Sequence, residues 1–286
     1  MLLLALATVW SSSFAAIKVG LDAIPPVTLA MLRVGLGALV LYGWLKLRGL
    51  NLPREPRLWW SFFLIGFSGS ALPFVMINWG EQEIASGLAA ILIASMPLAA
   101  MVLGRIYSDE ILSVRRVLGV SVGFAGVVAL IGPEELLSLG DSALRQLAVA
   151  GAAVSYAIAG ILVRKLPSAK PEEHGAGVLI ASSAVLIPSA LIAEQPWTLN
   201  YSVDALAAAL YLGVFPTALA TIILITVISS RGVTFLSLNN YFIPVLGVAW
   251  GFLFLDEPIT RAVVIALSLI LAGIAIAGTA PSTRKG

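Results

Sequence analysis

The residues of this chain best equipped for recognition chemistry lie inside long apolar stretches. Asn239, Asn240 and Tyr241 stand together and are followed by Pro244. Each carboxamide offers two N–H donors and an acceptor oxygen, and the proline frees a backbone carbonyl near residue 240. Buried in an apolar medium, such groups are costly unless they face protein, water or a solute. Ser95 and Pro97 hold the comparable place in an earlier stretch. Trp10 precedes Ser11, Ser12 and Ser13, and Ser155 precedes Tyr156. Asn78 and Trp79 close another apolar run. The chemistry available to this set is reversible hydrogen bonding and ring contact with a polar or aromatic small molecule. Interhelical hydrogen bonding is the plainer alternative, at about 0.6 kcal/mol per contact.

Two cations fall within apolar stretches. Lys18 has Asp22 at i+4, a spacing that allows an ion pair. Arg33 lies seven residues past Pro26, about 10 Å along a helix, where it either anchors the helix or meets a solute carboxylate. The acids sit elsewhere. Glu81 and Glu83 crowd the end of one stretch and read as a solvated rim. Glu110 and Glu257 follow two others and read as caps for the next helix. No Asp or Glu occupies the middle of an apolar stretch, the usual place for a proton relay, so movement by facilitated diffusion or exchange is expected; the alternatives are a drug or other-metabolite exporter with proton coupling, for which Glu81 and Glu83 are the available acids, and a channel-like protein. Cysteine is absent and His174 is the sole histidine, read as a solvated loop residue. Neither a metal site, a cofactor nor an intramembrane serine protease is expected from this inventory, since the histidine base such a protease needs is not near any membrane-depth serine.

These residues must be positioned by membrane helices. Of 286 residues, 59% are hydrophobic and 11% charged, with mean hydropathy +1.01; soluble domains carry about 25% charged residues. Ten stretches near the roughly 20-residue length of a membrane span are expected at about 2–21, 26–46, 58–79, 84–104, 113–132, 144–164, 175–193, 204–228, 233–254 and 260–279. Pro25, Pro26, Pro53, Pro133, Pro167, Pro171, Pro196 and Pro258 punctuate the breaks. The apolar start resembles a signal peptide only loosely, lacks a basic leading region, and is read as the first span. With the leading end in the cytoplasm, thirteen of the 17 Lys and Arg fall in cytoplasmic segments, against Arg145 and Arg261 outside. The positive-inside rule then places both termini in the cytoplasm of an inner-membrane, multi-pass protein. A net charge of +2 gives no reason to expect a nucleic-acid partner.

The stretches repeat. Pro97 and Pro244 are 147 residues apart, as are Asp109 and Asp256, and Gly126 and Gly273; Trp10 and Tyr156 are 146 apart, as are Lys18 and Arg164. Five spans per half is an odd number, so residues 1–139 and 143–286 are expected to form two inverted five-helix units around a central cavity. The paired aromatic near each half's start, the late prolines Pro97 and Pro244, the acids that follow them, and the glycine-rich segments at Gly119, Gly123, Gly126, Gly273 and Gly278 carry a resemblance. The chain resembles EamA-type members of the drug/metabolite transporter superfamily, and among these is similar to bacterial exporters of amino acids, aromatic ones included. Ile111 departs from the pattern where Pro258 keeps it. The apolar stretches give an all-α integral membrane fold of ten helices, and polar or aromatic type at membrane depth selects Trp10, Ser13, Asn78, Trp79, Ser95, Pro97, Tyr156, Asn239, Asn240, Tyr241 and Pro244 as the residues expected to face the substrate; the resemblance adds alternating access. It implies a small-molecule substrate and contact with membrane lipid, and no enzyme activity. A monomer would suffice, and a dimer is equally compatible.

Overall fold

The computed structural model describes residues 1–107, 113–131, 141–165, 170–236 and 238–278. Asp109, Glu110, Ile111, Pro133 and Pro167, used above as landmarks, lie outside the described residues. Ten apolar helices account for the described chain: α1 Leu2–Leu21, α2 Pro26–Leu47, α3 Pro56–Glu81, α4 Ser86–Arg105, α5 Val114–Ile131, α6 Ser142–Arg164, α7 Pro171–Ala193, α8 Val203–Arg231, α9 Asn239–Leu255 and α10 Arg261–Ala277. Eight are long and apolar enough to cross a membrane, and α9 and α10 are slightly shorter. No strand occurs among the described residues. Prolines open α2, α3 and α7 at the first helical turn, where a missing N–H costs nothing.

One boundary differs from expectation in a way that matters. The polar run Ser229, Ser230, Arg231 was expected to end the eighth span, but the helix continues to Leu236. Ser230 folds its hydroxyl back onto Thr226 O at 2.7 Å, which satisfies it inside the helix. The ninth helix therefore starts at Asn239, not 233. Asn239 and Asn240 lie in its first turn, not deep in a span.

Helices that correspond between the halves pack in opposite directions. Gly119 of α5 lies against Gly273 and Ala277 of α10, while Gly126 lies against Ala266 and Ile270. A Cβ on Gly119 would approach Gly273 O to 2.6 Å, and one on Gly273 would approach Gly119 O to the same 2.6 Å; here glycine is required by close backbone approach. In α2 and α7, Gly37 meets Leu179 and Gly175 meets Leu41. The first helices are exchanged: α1 packs on α8 and α9, and α6 on α3 and α4.

Two π-helical turns interrupt this scaffold, Phe67–Ala71 in α3 and Gly213–Leu219 in α8. They begin 146 residues apart, the spacing of the repeat. Pro73 and Pro216 explain their location, because each removes a backbone donor and loosens the ladder behind it. α4 is broken instead at Ala94 and Ser95, between helical segments Ser86–Ile93 and Met96–Tyr107. One buried apolar cluster gathers Phe14, Ile17, Ile77 and Leu92, and a second gathers Val34, Leu41, Phe74 and Leu179. Tyr156 packs against both.

Candidate functional site

The second π-turn brings two of the sequence-selected residues together. Pro216 cannot donate, and its neighbour Thr217 takes up the loosened Leu212 O through its hydroxyl at 2.7 Å. Trp10 Nε1 donates to Pro216 O at 3.2 Å, and Arg33 Nε donates to Thr217 Oγ1 at 3.0 Å. Adjacent residues of α8 thus hold an indole from α1 and a guanidinium from α2. The guanidinium carbon sits 3.8 Å from the Phe74 ring centroid, within cation–π range. Tyr156 lies within electrostatic reach of the same group. Five helices converge there.

Arg33 is only 5% exposed. Among the described residues it makes this single hydrogen bond and has no carboxylate at ion-pair distance. A guanidinium carries five N–H donors, so most of its capacity is uncommitted. Nearby polar groups are otherwise spent: Ser13 Oγ donates to Trp10 O at 2.6 Å, Ser11 Oγ accepts from Trp250 Nε1 at 2.9 Å, and Ser12 Oγ pairs with Tyr211 OH at 2.7 Å. In this conformation the seam is filled by its own side chains, with Ser11, Ser13 and Thr217 buried.

The first π-turn is met in the same manner from the other half, where Ser155 Oγ donates to Ser68 O at 2.7 Å. Among the described residues no cation is bonded to it. Leu179, 146 residues beyond Arg33, is part of an apolar cluster.

The remaining sequence-selected residues lie apart from this seam. Asn78 is fully buried and donates to Pro26 O at 2.8 Å, tying α3 to the start of α2. Trp79 is 37% exposed with the Arg145 guanidinium 4.1 Å from its ring centroid. Ser95 Oγ turns back to Leu92 O at 2.6 Å beside Pro97. Asn239 is buried with both amide atoms unpartnered, while Asn240 and Tyr241 are half-buried and Pro244 sits within an unbroken α9. Lys18 does not need Asp22: its ammonium donates to Glu81 O at 2.6 Å and Ile84 O at 3.0 Å, at the carbonyl-rich end of α3, where a cation is favoured.

Two acids also depart from expectation. Glu257 does not cap α10. Asp256 takes a left-handed conformation, φ 53°, and swings Glu257 across to the other half, where its carboxylate accepts from Ser86 N at 2.6 Å, Gly87 N at 3.0 Å and Ser86 Oγ at 3.1 Å. Glu194 does the same for α2, accepting from Val27 N and Thr28 N at 3.0 and 2.6 Å. The expected solvated rim splits: Glu83 is exposed, but Glu81 is fully buried, with neither carboxylate oxygen partnered. Its neighbour Ile84, in the α3–α4 connection, is buried as well, 5% exposed. His174 likewise is not loop-exposed; it lies in the first turn of α7, edge-on to Phe62 at 5.9 Å.

Sequence reasoning missed Pro216, Thr217 and Phe74. The available signal was a proline inside an apolar span of each half, Pro73 and Pro216.

Ten apolar helices with polar groups held at a seam between two interleaved sets define a multi-pass membrane protein of the transporter class. The EamA-like transporter family pattern matches twice, over residues 1–132 and 144–279, and the chain belongs to that family. It is 25% identical over 279 residues to the uncharacterized transporter YoaV of Bacillus subtilis, spanning 97% of this chain and 95% of that protein. It is 26% identical over 271 residues to the uncharacterized inner membrane transporter YedA of Escherichia coli, spanning 94% and 87%. A solved crystal structure superposes with a TM-score of 0.69 at 23% identity, covering 96% of this chain and 95% of that one. The comparison supports the fold.

Proposed function

We propose that the protein exports amino acids, aromatic ones included, across the inner membrane by alternating access, with both termini in the cytoplasm and residues 1–139 and 143–286 inserted in opposite senses. The observation that carries the substrate class is Arg33: a buried guanidinium with no carboxylate at ion-pair distance among the described residues, Glu81 acting on it only from further off, and with Phe74, Tyr156 and Trp10 beside it. A carboxylate is the planar anion that a guanidinium fork matches in two parallel hydrogen bonds, and the rings suit an apolar side chain. The π-turns, at equivalent places in α3 and α8, supply irregular backbone where it lines protein and not lipid. The antiparallel packing of α5 on α10 and of α2 on α7 supports the inverted arrangement, since corresponding helices of inverted units must run oppositely. The charge tally supports the orientation.

Reconstitution of purified protein into liposomes tests this reading. Flux of labelled amino acids that saturates, and that unlabelled amino acids inhibit competitively, is the expected result. Ohmic conductance, or flux with no competition, contradicts it.

A further inference from the structure

The end of the molecule where α3 meets α4 is closed by ties that cross between helices. Lys18 holds two carbonyls of the α3–α4 connection, Asn78 holds the start of α2, and Arg145 of α6 holds Trp79 O at 2.6 Å and Gln82 Oε1 at 2.8 Å. Glu257 and Glu194, both from the second half, cap α4 and α2. Amid this bonding one side chain is left out. Glu81 is fully buried and both its oxygens lack a partner.

We infer that Glu81 is a proton-binding site whose loading closes this end of the molecule. An ionised carboxylate without donors is strongly penalised in a buried site, and the neutral acid is the species such a site accepts. The surrounding charges do not supply what it lacks. Lys18 of α1 spends its hydrogen bonds on backbone oxygens, Arg33 of α2 is bonded to Thr217, and Arg145 of α6 is turned to Trp79 and Gln82. The charges of Lys18 and Arg33 act on Glu81 favourably and that of Glu257 unfavourably, but none of the three is bonded to its carboxyl, and Glu257 is committed to the start of α4. The segment of α4 at this end, Ser86–Ile93, carries no charged residue.

The sign follows from these contacts. Closing the end removes Glu81 from water and takes up one proton; opening it hydrates the carboxyl and releases that proton. Rising pH therefore favours the open end, by at most about tenfold in the open-to-closed ratio per pH unit for one linked proton. The expectation of movement without protons rested on no acid lying in the middle of an apolar stretch; Glu81 lies at the end of one, yet is fully buried. The inference rests on the transporter reading for its purpose, but its test does not.

The chain lacks cysteine, so a single thiol reports cleanly. Thr28 is fully buried at this end with its hydroxyl unpartnered, and Thr28→Cys is nearly isosteric. Maleimide labelling of purified Thr28→Cys protein in nanodiscs is measured against pH, and each rate is divided by that of the same thiol in a Glu81→Gln background, which cancels thiol chemistry. The normalised rate is expected to rise with pH, by up to about tenfold per unit. Glu81→Asp, which keeps a carboxyl, retains the rise, as does Glu83→Gln at the exposed neighbour. A flat normalised rate, or a rise that Glu83→Gln abolishes, overturns the proposal. Should Glu81→Gln not accumulate, Glu81→Met, which likewise removes the titrating group at similar volume, serves as the reference, and a flat rate relative to it overturns the proposal. Solute flux without this titration would sink the proton site alone, and the titration without flux would sink the transporter reading alone.

Discussion

The two π-turns are built alike and used differently. Each interrupts a long helix at the same place in its half, and each receives a side-chain donor from the first helix of the opposite half: Ser155 on Ser68 O, Trp10 on Pro216 O. Only the turn in α8 also receives a cation, because Arg33 has no counterpart where Leu179 stands. Symmetry at the level of backbone is thus compatible with asymmetry of charge. Duplicated packing gives the two halves matching π-turns, and on the proposed function the single unmatched arginine is the place that holds an anion.

Removing that asymmetry is the severest way to break the comparison. Arg33→Leu copies the aliphatic chemistry of α7 and is expected to weaken binding of carboxylate solutes by about 1.5–3 kcal/mol, roughly 10- to 100-fold, as measured by competition in liposomes. The same change deletes a buried cation without an ion partner, so the thermal midpoint is expected to hold or rise. A fall in both would make Arg33 an anchor. The symmetric control is the α5–α10 contact. Gly119→Ala and Gly273→Ala each drive a methyl against the partner's carbonyl, and each is expected to lower stability by about 1–3 kcal/mol, equally for the two, in thermal unfolding. Unequal losses would mean that the scaffold is less symmetric than its backbone suggests.

Smaller changes sharpen the contrast. Trp10→Phe and Ser155→Ala each leave one π-turn carbonyl without its donor and are expected to cost about 1 kcal/mol of stability. Only Trp10→Phe is expected to weaken solute competition, since only its turn carries Arg33. Asn240→Ala, in the first turn of α9 away from both turns, is expected to change either readout by less than about 0.5 kcal/mol.

Helix number was legible in the sequence because it depends on local signals: apolar length and prolines at breaks. Trp10, Tyr156 and Arg33 were legible as candidates because polar or aromatic groups at membrane depth are few. What brings them together was not. The π-turn at 213–219 depends on how α8 accommodates Pro216 against α1 and α2, a tertiary matter that a proline inside an apolar run does not announce. Asn239 and Asn240 were placed too deep because Ser229, Ser230 and Arg231 look like a loop until Ser230 is seen bonded within the helix. Glu81 and Glu257 were misjudged for a related reason. An acid at the end of a span reads as solvated or as a local cap, whereas Glu81 is buried and Glu257, from a connection of one half, caps a helix of the other.

The central claim is that the uncommitted guanidinium at the α8 turn receives the carboxylate of the solute. Its most direct test is inhibition of labelled amino-acid flux by an unlabelled amino acid and by its carboxamide, identical but for the missing charge. The account predicts that the carboxamide competes at least about tenfold more weakly with the wild type, and that Arg33→Leu erases the difference. Equal competition by acid and amide in the wild type would contradict it.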